Sequence, residues 1–253
     1  MLPVYQSAGF VFESFDDGEG RFDGSVQSNA YARTDNPTNA AVARRLADLE
    51  GGIAGLLTAS GTAAIALTLG ALASSGDHIL ATSSLYEGSK TLFARTLARQ
   101  GIEVELIAAD ASDEAWNDAI RPTTKAVFTE TIPNPKNDVV DLERLARIAH
   151  AAAVPLVVDN TVATPYLNRP IEHGADIVIH STSKWLSGHG AVLGGVVIDS
   201  GAFDWSADPS RYPHIAQTGA RGPRRTSSAS ARTPSSPTSA PPPPSTSARH
   251  CRR

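Results

Sequence analysis

Lys184 closes the segment His180-Ser181-Thr182-Ser183-Lys184, which follows the apolar run Ala175-Asp176-Ile177-Val178-Ile179. A second apolar run, Val154-Pro155-Leu156-Val157-Val158, ends in Asp159-Asn160-Thr161. An amine and an acid thus stand at the ends of two short β-branched runs, each beside small hydroxyl residues. Such runs read as buried strands of a parallel sheet, and in open α/β sheets the ligand lies beyond the carboxyl ends of the strands. A lysine with hydroxyls one and three residues before it suggests an amine held beside a phosphate. An aspartate there suggests a partner for a ring nitrogen. Together they point to pyridoxal phosphate, which takes a lysine as Schiff base and an acid on its pyridinium. Taken singly, each has a plainer reading: the aspartate as a cap or turn residue, the lysine as a solvated charge.

These residues need a frame. The 253 residues and 41% hydrophobic content suffice for one large α/β domain. No apolar stretch is long enough to span a bilayer, and Met1-Leu2-Pro3-Val4-Tyr5-Gln6 lacks the regions of a signal peptide, so a cytoplasmic protein is expected. Cys251 is the one cysteine, which excludes a disulfide framework and a thiolate metal site. The net charge of −4 conceals an uneven distribution: residues 218–253 hold seven arginines and no acid. The remainder therefore carries 15 bases against 26 acids, which argues against a nucleic-acid surface. Residues 218–253 also contain Pro241-Pro242-Pro243-Pro244 and none of Val, Ile, Leu, Met, Phe, Tyr or Trp. They read as a disordered tail, and the abrupt change after Gln217 is expected to reflect a shifted reading frame, with a natural low-complexity extension as the alternative.

Residues 1–37 read as an irregular arm rich in Gly, Asp and Ser, and 38–217 as the cofactor-binding domain. Thr38 is expected to cap a helix through Glu50. A strand at 53–57 runs into Ser60-Gly61-Thr62, which opens an Ala/Leu-rich helix to about Ala73. Alternation continues with strands at 78–81, 104–107 and 125–129, and helices at 89–99, 113–120 and 141–152, the last capped by Asp141. After the two strands of the opening argument comes Gly194–Ile198. Regular alternation predicts a doubly wound, mostly parallel sheet.

Other motifs fail on spacing. Gly88-Ser89-Lys90-Thr91 lacks the glycine before lysine that a P-loop needs. Gly188-His189-Gly190 precedes a strand rather than opening a helix. No Gly-x-Ser-x-Gly elbow occurs. His180 and His189 lack metal-ligand spacing, so no metal is expected.

Several segments from Pro3 to Gln217 carry a resemblance: Tyr31-Ala32-Arg33-Thr34-Asp35-Asn36-Pro37-Thr38, Ala59-Ser60-Gly61-Thr62-Ala63-Ala64, Glu130-Thr131-Ile132-Pro133-Asn134-Pro135, Asp159-Asn160-Thr161 and Ser181-Thr182-Ser183-Lys184. With them the chain resembles the Cys/Met-metabolism pyridoxal-phosphate enzymes, which share the aspartate-aminotransferase-like fold. The resemblance implies the large domain of that fold, with Lys184 holding the cofactor as a Schiff base and shuttling protons. It implies Asp159 on the pyridine nitrogen, with Thr161 beside it, and Tyr86 stacked on the ring. Asn134 would face the phenolic oxygen. Ser60, the N–H groups of Gly61 and Thr62, and the hydroxyls of Ser181 and Ser183 would hold the phosphate. Tyr31 and Arg33 would reach the phosphate of a neighbouring subunit, which makes a homodimer the minimal unit and a homotetramer the expected one.

The chain departs from the family at Tyr86-Glu87-Gly88-Ser89, where Tyr-Gly-Gly-Thr is common, and Glu87 adds charge near a dianion site. The family also has a C-terminal small domain whose arginine grips the substrate carboxylate. No arginine of the tail sits in a matching context, and the expectation is that these 253 residues alone are nearly inactive and poorly soluble. Lys184-Trp185-Leu186-Ser187-Gly188-His189-Gly190 and the run from Gly194 to Trp205 are most similar to O-acetylhomoserine sulfhydrylases. The implied reaction turns O-acetylhomoserine and sulfide, or a thiol, into homocysteine and acetate. The alternatives are cystathionine γ-synthase or methionine γ-lyase activity, or a non-catalytic remnant that binds cofactor or a partner subunit.

Overall fold

A computed structural model describes residues 3–26 and 28–217, so the tail reading for 218–253 lies outside the described residues. Its centre is a seven-stranded sheet: β1 (Ala54–Thr58), β2 (His78–Thr82), β3 (Glu103–Ile107), β4 (Thr124–Glu130), β5 (Leu156–Asp159), β6 (Ile177–His180) and β7 (Gly195–Asp199). The spatial order is β1-β7-β6-β5-β4-β2-β3. β7 runs antiparallel to both β1 and β6, and all other pairs are parallel. The mostly parallel sheet expected from alternation is what forms.

Alternate residues of the inner strands enter two cores. Ile79, Phe128, Val157 and Ile179 pack on one face against α3 (Gly61–Leu72) and the stretch through Leu97. Leu80, Val127, Leu156, Val158 and Val178 pack on the other face. They meet Ala47 of α2 (Pro37–Glu50), Trp116 of α5 (Asp113–Ala119), and Leu145 and Ile148 of α6 (Leu142–Ala151). Both faces are covered, which explains why β5 and β6 read as continuous apolar runs rather than alternating ones.

Local corrections have local causes. The arm contains a helix, α1 (Phe15–Asp23), capped by Ser14 and closed by Gly24 at φ 81°. Gly18 and Gly20 within it each cost about 1 kcal/mol relative to alanine, which hides it from propensity. Asp17 and Arg21, one turn apart, hold it with an ion pair at 2.8 Å. Asn36, not Thr38, caps α2: its side chain accepts from the N–H groups of Thr38 and Asn39, and Pro37 opens the first turn. Thr38 Oγ1 instead ties down the arm, accepting from Tyr5 N at 2.9 Å. The helix expected at 89–99 begins earlier, as α4 (Glu87–Thr91), and widens to π-helical turns over Leu92–Leu97. Short helical turns also occur at α7 (Thr164–Leu167), Pro170–His173 and α8 (Pro213–Gln217).

Topology then places the crevice. From β2 the chain builds outward to β3, then returns inside to β4 and proceeds the other way through β5 and β6. Where that direction reverses, the loops after β2 and β4 separate and open a cleft beyond the strands' carboxyl ends.

Candidate active site

The cleft is a cavity of about 690 Å³. Ten of the twelve residues singled out from sequence line it: Ser60, Gly61, Thr62, Tyr86, Asn134, Asp159, Thr161, Ser181, Ser183 and Lys184. The other two, Tyr31 and Arg33, are not brought to it. They stay exposed on the arm, where Tyr31 bridges Gly9 and the Arg33 guanidinium lies 5.3 Å from the Tyr31 ring centre.

Asp159 ends β5, and its Oδ1 accepts from Thr161 N at 2.9 Å and Thr161 Oγ1 at 2.5 Å. This local turn fixes the carboxylate's orientation. Thr161 Oγ1 also accepts from Ser181 N at 2.8 Å, so one hydroxyl ties the exits of β5 and β6 together. Burial pushes the Asp159 carboxyl up, while the two Thr161 bonds and the nearby His180 pull it back.

Lys184 follows β6 in a tight turn, with its N–H donating to Ser181 O at 3.2 Å and its own carbonyl accepting from Gly188 N at 2.9 Å. Gly188 permits this turn at φ 70°. The Lys184 side chain is exposed toward the cleft and makes no ion pair among the described residues. Ser183 Oγ is already engaged, donating to Gly194 O at 3.2 Å and accepting from Gly194 N at 2.9 Å. The Ser181 hydroxyl has no partner among the described residues.

Across the cleft, Ser60 caps α3 by accepting from Ala63 N at 3.1 Å. The N–H groups of Gly61 and Thr62, in the first turn, have no carbonyl four residues back within the helix. A β-carbon at Gly61 would lie 2.6 Å from Ser181 Cβ and 2.9 Å from Ser181 Cα. Only glycine lets the helix N-terminus come this close to the exit of β6, and the result is a cradle of N–H groups with a favourable dipole for an anion.

Tyr86 precedes α4 and is 49% exposed. A β-carbon at Gly88 would meet its ring at 2.3 Å, so that glycine is what allows the ring to lie against the helix. Glu87, the departure from family pattern, is exposed.

Sequence reasoning did not nominate Glu130, which also lines the cavity although it is 5% exposed. Its Oε1 accepts from Tyr86 N at 2.8 Å and Ser89 Oγ at 3.4 Å. Burial, with Asp159 beside it, pushes its carboxyl up to about 7. A signal existed: Glu130 is an acid ending an apolar strand, the same placement that drew attention to Asp159. Trp185 and Leu193 add exposed apolar surface at the mouth.

Away from the cleft, ligand atoms of His78, Glu103 and Glu105 lie within 4.8 Å of one another. Arg121 pairs with both glutamates and already supplies the positive charge. No helix among the described residues is long and apolar enough to cross a membrane.

With this geometry in place, comparison with known proteins is specific. The family profile described as Cys/Met metabolism PLP-dependent enzyme matches residues 1–225. The chain is 44% identical over 212 residues to the O-acetyl-L-homoserine sulfhydrylase of Corynebacterium glutamicum, covering 84% of this chain and 48% of that protein. It is 45% identical over 215 residues to the homocysteine synthase of Schizosaccharomyces pombe, covering 85% and 50%. The chain spans about half the length of the curated relatives it matches. Among solved structures, a Campylobacter jejuni protein named as a candidate O-acetylhomoserine (thiol)-lyase superposes with a TM-score of 0.77 at 39% identity, over 80% of this chain and 49% of that one. It carries N'-pyridoxyl-lysine-5'-monophosphate. Cystathionine γ-lyase from Lactobacillus plantarum, complexed with L-serine, gives a TM-score of 0.71 at 38% identity, over 78% and 49%.

Proposed function

The chain belongs to the Cys/Met-metabolism PLP-dependent enzymes, with pyridoxal phosphate as its cofactor, and from that premise we propose that it serves γ-replacement on an O-acylated homoserine. Acetate leaves O-acetyl-L-homoserine and sulfide, or a thiol, takes its place to give L-homocysteine. One observation carries the reading: a free amine, a strand-end carboxylate and a helix N-terminus converge on one cavity in a chain 44–45% identical to enzymes of that name.

The donor set fits the group. A dianionic phosphate needs N–H groups and hydroxyls, which Gly61, Thr62 and the unpartnered Ser181 hydroxyl offer beside the α3 dipole. A basic ring nitrogen needs a carboxylate whose direction is held, and the Thr161 bonds hold Asp159. An aldehyde needs an accessible amine without a competing ion pair, which is the state of Lys184. Bound there, the cofactor supplies an electron sink for charge developed on the substrate.

The residues divide the remaining work. Asp159 keeps the ring nitrogen protonated through a charge-assisted bond worth about 1.5–3 kcal/mol. Lys184 holds the cofactor and then moves a proton at the substrate's α-carbon, a role worth roughly 10²–10⁴-fold in rate. Tyr86 covers the ring, and Asn134 faces its phenolic oxygen. Tyr31 and Arg33 serve the phosphate of a neighbouring copy, so the working unit is a homo-oligomer, at least a dimer and by this reading a tetramer, in the cytoplasm.

A γ-lyase reading is second, favoured by the likeness to a cystathionine γ-lyase at 38% identity. Supplying O-acetylhomoserine with and without sulfide separates the two. Homocysteine formed with sulfide supports replacement; α-ketobutyrate formed without it supports elimination. Absence of both products leaves cofactor binding without turnover, which the visible absorbance of protein mixed with pyridoxal phosphate would report.

A further inference from the structure

Glu130 is spent on something other than the reaction assigned above. It ends β4 directly across from Asp159 in the register of β5, so two carboxyl groups share one rim of the cleft. Like charges this close disfavour each other's ionisation, and burial adds to the cost. A carboxyl kept in such a place needs a compensating contact. The contacts are specific: Oε1 accepts from the backbone N–H of Tyr86 at 2.8 Å and from Ser89 Oγ at 3.4 Å. The Tyr86 and Ser89 donors belong to the turn that carries the Tyr86 ring to the cavity. The backbone N–H of Asn134, in the loop after β4, also favours the ionised carboxyl. The Tyr86 turn is also held by the Tyr86 carbonyl, which accepts from Ser89 N at 2.9 Å, by Ser84 Oγ donating to Asp138 and by buried Leu85. But α4 lacks a side-chain cap, and the ring itself is half exposed.

We propose that Glu130 is a positioning residue, whose carboxylate clamps the turn before α4 and so fixes the Tyr86 ring over the cavity. Only the identity of what Tyr86 covers rests on the pyridoxal-phosphate reading; the clamp does not. The charged groups around Glu130 are few. Asp159 acts on it from β5, and Lys184 lines the same cavity from the loop after β6. On α4, Glu87 is exposed and Lys90 half-buried, and Asp138 is turned to Ser84 and Lys136. Because N–H donors favour the ionised carboxyl, ionisation must in turn tighten the clamp, and bonds to a charged acceptor are roughly twice as strong as neutral ones. With the carboxyl pushed up to about 7, the clamp tightens as pH rises through neutrality.

The test uses ¹⁵N-labelled chain without cofactor, followed by the Tyr86 amide resonance from pH 5.5 to 8.5. The wild-type amide should move with a midpoint near 7. Glu130→Gln, which keeps an acceptor but no charge, should abolish the titration. Glu130→Ala should leave the amide exchanging faster at all pH values. Pyridoxal phosphate titrated into the same samples should bind about tenfold more weakly to Glu130→Ala, with much of the loss restored in Glu130→Gln. A Tyr86 amide that does not titrate, or that titrates unchanged in Glu130→Gln, overturns the proposal. So does wild-type cofactor affinity in Glu130→Ala. If the amide titrates as expected but no sample takes up pyridoxal phosphate, the clamp stands and the cofactor reading falls.

Discussion

Glu50 Oε1 and His180 Nε2 meet at 2.6 Å, 130 residues apart in the chain, with neither side chain exposed. Glu50 ends α2 and His180 ends β6, so the contact pins a helix to the strand that leads into Lys184. Asn160 Nδ2 donates to the same Glu50 oxygen at 2.8 Å, and its Oδ1 accepts from Thr131 Oγ1 at 2.7 Å. The exits of β4, β5 and β6 are therefore held from behind by one buried polar network.

Removing Glu50 strips the buried His180 Nε2 of its partner and leaves Asn160 Nδ2 with Asn168 O alone, and breaking such a buried contact from one side costs about 3–5 kcal/mol. Glu50→Ala should lower unfolding stability by that amount, read from urea denaturation. Glu50→Gln retains an acceptor for Asn160 and should lose much less. Equal losses in the two variants would mean that volume, not hydrogen bonding, is what Glu50 provides.

Lys184 should be the residue that holds the cofactor. Borohydride reduction in the presence of pyridoxal phosphate, followed by peptide mapping, should place the label on the peptide containing Lys184. Label on Lys90, Lys125 or Lys136 would refute the assignment.

Asp159→Asn should lower turnover by roughly 10- to 100-fold, the rate equivalent of a lost charge-assisted bond. Cofactor affinity should change less, because the N–H groups of Gly61 and Thr62 remain. Steady-state kinetics beside a cofactor titration checks this in a chain with measurable turnover. Unchanged kcat would remove Asp159 from the ring nitrogen.

Stability without cofactor should fall as pH rises from about 4.5 to about 7, through Glu130. The folded state retains a proton that the unfolded state has released, so unfolding is favoured by each step upward. Integrated over the interval, the effect is on the order of 3 kcal/mol. Glu130→Gln carries no such charge, and its stability relative to wild type should therefore improve across that range. Parallel pH profiles for the two proteins would show that Glu130 ionises at an ordinary value.

Much of the site was legible from sequence because strand exits are local features. β5 and β6 are short, apolar on both faces and bounded by polar residues, so Asp159 and Lys184 could be placed at strand ends without knowing which strands are neighbours. The glycines of the α3 entry and the Lys184 turn were likewise visible as residue types. Less was legible where compensation is remote. The glycines of α1 obscure a helix, and Thr38, which looks like the cap of α2, bonds instead to Tyr5 far back in the arm while Asn36 caps the helix.

What only the tertiary structure decided is which strand ends lie side by side. An apolar run does not record its direction, so nothing local distinguishes antiparallel β7 from its parallel neighbours. Nor does it record register, and register alone sets Glu130 against Asp159, while the packing of α2 on the sheet brings Glu50 within reach of His180. The residue types and their exits belong to the chain; the pairing of carboxyl with carboxyl, and of the Tyr86 turn with its clamp, arises from strand order, because hydrogen-bonded neighbours are chosen by the whole sheet.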